Sequence, residues 1–221
     1  MQKYNSPTSQ KVTFVTAAKP TTSRAFCQVC FSIYIAIQNI IIQNYLSIFE
    51  TMRRADREMD AAFALEVFDK APYITVSFTR PDGTPYGVPL SLARIDEKTF
   101  YFHCATTGKK IECIKACPIV ALSAVTRCTP TIGPKDGSFT LQYKSAMAVG
   151  RAEIVMEQQE KIEGLRAICQ RFLPHNMNAF DMAIARSLSR TAVVKITLSE
   201  SPTGKRKEYD RQGEEMKWGR C

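Results

Sequence analysis

The residues best placed to do chemistry stand in one run, Tyr101-Phe102-His103-Cys104-Ala105-Thr106-Thr107-Gly108-Lys109-Lys110. Its first half reads as a strand; Gly108 then allows a turn, and two lysines lead a short helix. The first N–H groups of a helix have no partner within it, and the aligned peptide dipoles leave that end positive. Two ammonium groups beside those donors make Gly108, Lys109 and Lys110 a natural cradle for a phosphate. Upstream on the strand, His103 carries an imidazole that titrates near neutral pH and could hydrogen-bond a substrate or donate a proton. Plainer roles stand beside these: solvated surface lysines, and a histidine satisfied within a core.

Other chemistries find less support. Neither Gly-x-Gly-x-x-Gly nor Gly-x-x-x-x-Gly-Lys-Ser/Thr occurs. His103 and His175 lie in contexts that suggest no Ser-His-Asp arrangement, and no spacing of acids suggests a carboxylate pair. Eight cysteines in a chain of this length are no disulfide scaffold; most lie in apolar runs, where a free thiol behaves as a small hydrophobe. Cys27-x-x-Cys30 has metal or redox spacing but lacks a second such pair, so no metal is expected. The formal net charge of +9 suits an anionic partner. Because the basic residues are scattered among acids, a phosphorylated small ligand fits better than nucleic acid.

The patterning shows what must position these groups. With 221 residues, the chain can bury the core of one domain and carry an appendage. Residues 1–51 differ from the rest: a polar, Lys- and Thr-containing stretch precedes an apolar one over 25–49. The apolar stretch is long enough for a membrane anchor, yet Gln38-Asn39 and Gln43-Asn44 interrupt it. No small-residue cleavage site marks a signal peptide. Met52-Arg53-Arg54-Ala55-Asp56-Arg57-Glu58 resembles a fresh N-terminus, so an over-extended start site is the favoured reading and an anchor the second. Membrane association is expected only if this extension is made.

Residues 52–221 read as one domain. Periodicity predicts helices over 60–70, 108–115, 158–172 and 178–188. Strands are expected over 73–79, 87–94, 99–104, 119–126, 140–156 and 191–198, with turns at Pro81-Asp82-Gly83 and Asp96-Glu97-Lys98. Hairpins with helices in the gaps argue for a mainly β (α+β) fold, a small β-barrel with peripheral helices. The tail from Lys195 to Cys221, with seven Lys/Arg against five Asp/Glu, reads as solvated surface, and Trp218 within it as exposed or as a cover for a pocket.

Four motifs in order then carry a resemblance. They are Met52-Arg53-Arg54-x-Asp56-Arg57-Glu58, Asp82-Gly83-x-Pro85-Tyr86-Gly87-Val88-Pro89-Leu90-Ser91, Tyr101-Phe102-His103-Cys104-Ala105-x-x-Gly108-x-Lys110, and Tyr143-x-Ser145-x-x-x-x-Gly150-Arg151-Ala152. From Met52 to about Lys207 the chain resembles the pyridoxamine 5'-phosphate oxidase-like, FMN-binding split barrels, and within them the nitroimidazole-resistance proteins. The resemblance implies a six-stranded antiparallel split β-barrel of the FMN-binding type, a cytoplasmic homodimer with flavin at the subunit interface. It implies that Lys110, helped by Lys109 and Gly108, pairs with the FMN phosphate. Val88, Pro89, Leu90 and Ser91 would lie along the isoalloxazine edge. His103, Ala105, Tyr143 and Ser145 would complete the cofactor pocket, with His103 as the catalytic group. The implied activity is an FMN-dependent, nitroreductase-like oxidoreductase that passes electrons from a reduced donor to a small flat acceptor. The alternative is a flavin- or haem-binding barrel without catalysis. Two departures stand out: Lys109 where histidine is frequent, and Leu141-Gln142 where a more acidic stretch is usual.

Overall fold

Burial that alternates residue by residue turns much of this chain into a sheet. In the computed structural model, which describes residues 52–219, Val120, Leu122 and Ala124 are buried while Ile119, Ala121, Ser123 and Val125 between them are exposed. Such a period-two pattern commits one face of each strand to a core. The extension over 1–51, with its anchor or start-site readings and Cys27-x-x-Cys30, lies outside the described residues.

Nine strands form one antiparallel sheet: β1 (Glu58–Met59), β2 (Ile74–Thr79), β3 (Pro85–Leu90), β4 (Ala93–Arg94), β5 (Thr99–Ala105), β6 (Ile119–Ile132), β7 (Phe139–Ile154), β8 (Thr191–Leu198) and β9 (Thr203–Lys207). The order is β3-β2-β6-β7-β8-β5-β4, while β9 pairs with β7 and β1 with β9. Because β3 and β4 end the path without closing it, the fold is a split barrel. The helices are α1 (Ala61–Lys70), α2 (Lys109–Ala116), α3 (Gln158–Phe172) and α4 (Phe180–Ser187). Among the described residues no helix is long and apolar enough to cross a membrane.

The strand count corrects the six expected, for local reasons. The stretch 87–94 divides because Leu92 and Ala93 are both buried in succession, which breaks the alternation, and β4 turns away to pair with β5. β3 tolerates Pro85 and Pro89 because it is an edge strand, where a missing N–H costs no ladder bond. β6 runs past 126 to Ile132 because a bulge between Val125 and Arg127 resets its register with β7. The tail is not all solvated surface: β9 pairs with β7, and Lys207 and Glu208 are buried. Trp218 is half-buried; its ring stacks on the Arg206 guanidinium at 3.8 Å and its backbone N–H donates to the Asp56 carbonyl.

Two apolar clusters lie on opposite faces of β5 and β8. Inside the barrel, Phe102 meets Phe78 edge-on at 6.4 Å, and Phe100 meets Phe68 of α1 at 5.6 Å. On the other face, Tyr101 and Val193 pack under α3 with Leu165, Ile168 and Phe180. α3 approaches closely because Gly164 has no Cβ; one built there would lie 2.9 Å from Tyr101 Cδ1. Two helices carry side-chain caps: Asp60 accepts from the Phe63 N–H at 2.8 Å, and Glu157 accepts from the Gln159 N–H at 2.9 Å.

Candidate functional site

β5 divides its side chains between the two clusters. Phe100, Phe102 and Cys104 enter the barrel, while Tyr101 and His103 face α3 and α4. The strand ends at Ala105, and the chain crosses Thr106 and Thr107 to Gly108, the N-cap of α2. Gly108 has φ 111°, in the region that favours glycine, and no side chain caps the helix. The first N–H groups of α2 are therefore left open to a ligand. A Cβ at Gly108 would meet nothing within 4 Å, so the approach is clear.

Lys110 is half-buried and Lys109 exposed. Among the described residues neither ammonium is paired with a carboxylate. Lys110 lies close enough to Cys104 to be felt there: burial pushes that thiol's pKa up, and the ammonium opposes the rise. Arg80, at the end of β2, adds positive charge beside the same helix, since it acts likewise on buried Cys113 of α2. Its guanidinium lies 5.2 Å from the Tyr86 ring centre, and its Nε is buried with no hydrogen-bond partner among the described residues. The sequence reading missed Arg80, because an arginine beside a Pro-Asp-Gly turn carries no signal of its own. An uncapped helix start, two free ammonium groups and a nearby guanidinium fit the phosphate end of a nucleotide cofactor.

His103 borders a cavity of about 300 Å³ enclosed by α3, the 3₁₀ segment Pro174–Ala179, α4 and the start of β8. Its ring is open to that space, yet the surrounding protein removes enough water to lower its pKa; desolvation is the cause. The imidazole is thus neutral at pH 7. His175, on the neighbouring 3₁₀ turn, is exposed.

The remaining expected residues occupy two other places. On β3, Val88 and Leu90 pack against the barrel core, Pro89 faces outward opposite Thr75, and Ser91 is exposed at the break before β4. Arg171 of α3 holds that break by donating to the Leu92 carbonyl, and to Phe68 and Ala71 at 2.7 and 2.9 Å. Tyr143 and Ser145 lie on the outward side of β7. Ser145 stands opposite Val125 and Lys205, while Tyr143 has Lys205 Nζ 6.0 Å from its ring centre. Around them Arg57 and Arg54 clamp Glu215 at 2.6 and 3.1 Å, and Lys217 pairs with Asp56 at 2.5 Å. The chain therefore gathers His103, Ala105, Gly108, Lys109 and Lys110 at one end of β5, with Tyr143 and Ser145 on the outer sheet face.

Residues 60–206, more than half of the chain, match the family described as pyridoxamine 5'-phosphate oxidase. The chain belongs to that family. No curated protein matches it. Among solved structures, a candidate 5-nitroimidazole antibiotic resistance protein from Bacteroides thetaiotaomicron is 21% identical with TM-score 0.55, covering 67% of this chain and 87% of its own. The flavocytochrome Anf3 from Azotobacter vinelandii is 19% identical with TM-score 0.63, covering 74% and 77%. An FAD- and haem-binding protein from Mycobacterium smegmatis is 20% identical with TM-score 0.57, covering 68% and 73%. At these identities the likeness is one of fold, the split barrel of the family.

Proposed function

We propose that this family member is an FMN-dependent oxidoreductase of the nitroreductase-like kind, taking electrons from a reduced donor and passing them to a small flat acceptor such as a nitroimidazole. The observation that carries the reading is the uncapped start of α2 at Gly108, with unpaired Lys109 and half-buried Lys110 beside it. Bound FMN would supply the hydride and electron transfer. The chain's own part is to hold and orient. Lys109, Lys110 and the first α2 N–H groups bind the phosphate. The free backbone edge of β3, from Val88 to Leu90, offers donors and acceptors to the ring edge. His103, its pKa lowered by desolvation, hydrogen-bonds the acceptor and positions it, while the protons that accompany the electrons come from solvent.

The outward face of β6 and β7 supports a homodimer with flavin at its interface. Met147 is 52% exposed and Val149 41%, on a central strand. Tyr143 and Ser145 share that face, where a second copy would bring them to the cofactor. A non-catalytic flavin- or haem-binding barrel is the second reading. It is favoured by the imidazole of His103 on a largely apolar cavity and by the names of two neighbours of like fold, a flavocytochrome and an FAD- and haem-binding protein. A cytoplasmic location goes with the first reading.

Purified protein should be yellow and release FMN on denaturation. Lys110→Ala should weaken FMN binding by about tenfold or more, the size of one charge-assisted hydrogen bond. A colourless protein that takes up no added FMN would refute the flavin reading. His103→Ala should keep its flavin and lose turnover; an unchanged rate would remove His103 from the mechanism.

A further inference from the structure

We infer that the cavity beside His103 is a binding site for an uncharged, single-ring aromatic compound carrying a hydrogen-bonding substituent. As the place of the acceptor, this rests on the flavin reading; as a binding site, it stands on its own geometry.

The cavity exists because two connections hold α4 away from β5. α3 ends at Leu173, and the turn that follows is kinked at Asn176, with φ −111° and ψ 16°. The wall that faces back toward His103 then carries Ala179 and Ala183, where larger side chains would fill the gap. Leu165 and Phe180, both buried, provide apolar surface at the base. At about 300 Å³ the space stands at the small end of ligand sites, which run from roughly 300 to 1,000 Å³, so it suits one ring and not a polycyclic compound.

The polar groups narrow the chemistry further. No Asp, Glu, Lys or Arg lines the cavity, so nothing in it compensates a ligand charge stripped of water. Two of its hydroxyl groups are already committed: Ser187 donates to the Ala183 carbonyl at 2.8 Å and Thr191 to the Ser187 carbonyl at 2.8 Å. His103 and the Asn176 amide remain, neither with a side-chain hydrogen bond among the described residues, and desolvation lowers the His103 pKa. One imidazole and one amide on an otherwise apolar wall select a ligand that is flat, uncharged and carries a hydrogen-bonding substituent. His103 lies on the same strand that delivers Gly108 and Lys110, so the ligand site and the phosphate cradle share one rigid element.

The chain has two histidines, so imidazole NMR signals give a local readout with an internal control. Nitrobenzene titrated into the protein should shift the His103 signals saturably and leave His175 unmoved. Benzoate, the same ring with a charge, should bind at least about tenfold more weakly. Ala183→Trp should abolish the nitrobenzene shift with circular dichroism unchanged; Ile184→Trp fills the same space if the first variant does not fold. Saturable binding that leaves His103 unmoved, or that survives both substitutions, would overturn the site, as would equal binding of benzoate. The titration is run on flavin-loaded and flavin-free protein. A shift in a protein that takes up no flavin keeps the cavity and sinks the cofactor reading. No shift in a yellow protein does the reverse.

Discussion

The two sides of β7 are built in opposite ways. Inward, Ala146, Ala148, Gly150 and Ala152 are all buried and all small. Outward, Phe139, Leu141, Met147 and Val149 are large and exposed, Phe139 almost completely at 96%. A self-sufficient sheet would put its bulk inside. The barrel interior has no room for that, because Phe68, Phe78, Phe100 and Phe102 already fill it from α1, β2 and β5. The bulk outside shares one face of a central strand, on either side of Tyr143 and Ser145, and continues onto Ile119, Val125 and Ile132 of β6. Exposed apolar surface grouped in this way marks an interaction face more often than scattered single residues do. β7 is paired along both edges, so anything covering the patch must come face to face, through side chains. The inner side thus holds the protomer together, and the outer side is the surface proposed above for a second copy.

Matched truncations test this division most strongly on the inside. Phe102→Ala should cost about 3–5 kcal/mol, the range for a buried aromatic, and the loss should not depend on protein concentration. Against a typical total of about 5–15 kcal/mol this is a large share, and denaturant titration will read it. Met147→Asp should leave the protomer folded but raise the dimer dissociation constant by about a hundredfold or more, some 2.8 kcal/mol. Sedimentation velocity would show it, and a variant that stays dimeric would remove this face as the interface. In that monomeric background, Phe139→Ala should change stability by under about 0.5 kcal/mol, as for a surface substitution.

A smaller effect is expected where α3 meets β5. Gly164→Ala gains up to about 1 kcal/mol of helix propensity. It also places a Cβ 2.9 Å from Tyr101 Cδ1 and 3.0 Å from Val193 Cγ1. The Tyr101 ring cannot give way freely, because its hydroxyl donates to Glu160 at 2.9 Å and Lys195 holds the same carboxylate at 2.7 Å. Overpacking typically costs about 1–3 kcal/mol, so a net loss near 1 kcal/mol should lower the melting temperature. A stabilised variant would mean that the inner contact is looser than it looks.

Much of the inner side was legible in the sequence. Apolar periodicity gives α3 at both of its ends, the closing strand 191–198 to the residue, and the helix led by Gly108. These are runs where local pattern and tertiary burial agree. The outer side was not legible, because an outward Met147 and an inward Ala148 look alike to a rule that equates size with burial. β9 was hidden for a related reason. Thr203–Lys207 is rich in charge, and its place is fixed by the long-range pairing of Gly204 with Ala146 and Met59 rather than by its own composition. In the site, Gly108 and the lysines were readable because a glycine before lysines is a local signal. Arg80 and the cavity wall of Ala179 and Ala183 were not, since each acquires meaning only from what folds against it.

A pH-dependent effect is expected where outer face and tail meet. Arg57 and Arg54 hold the Glu215 carboxylate, and the Arg57 hydrogen bond is the main reason its pKa falls below the usual carboxylate value. A carboxyl group lowered on folding contributes stability that is complete above its unfolded pKa, near about 4.3, and is lost as pH falls through the folded value. Glu215→Gln should therefore be less stable than the native protein at pH 7, by about 1 kcal/mol or less for a partly exposed pair. The gap should narrow as pH drops below about 4.3 and close once the native carboxyl is protonated. Urea midpoints at neutral and acid pH measure both values. A gap that stays constant across that range would show that Glu215 holds the tail by shape, and that the arginines do not need its charge.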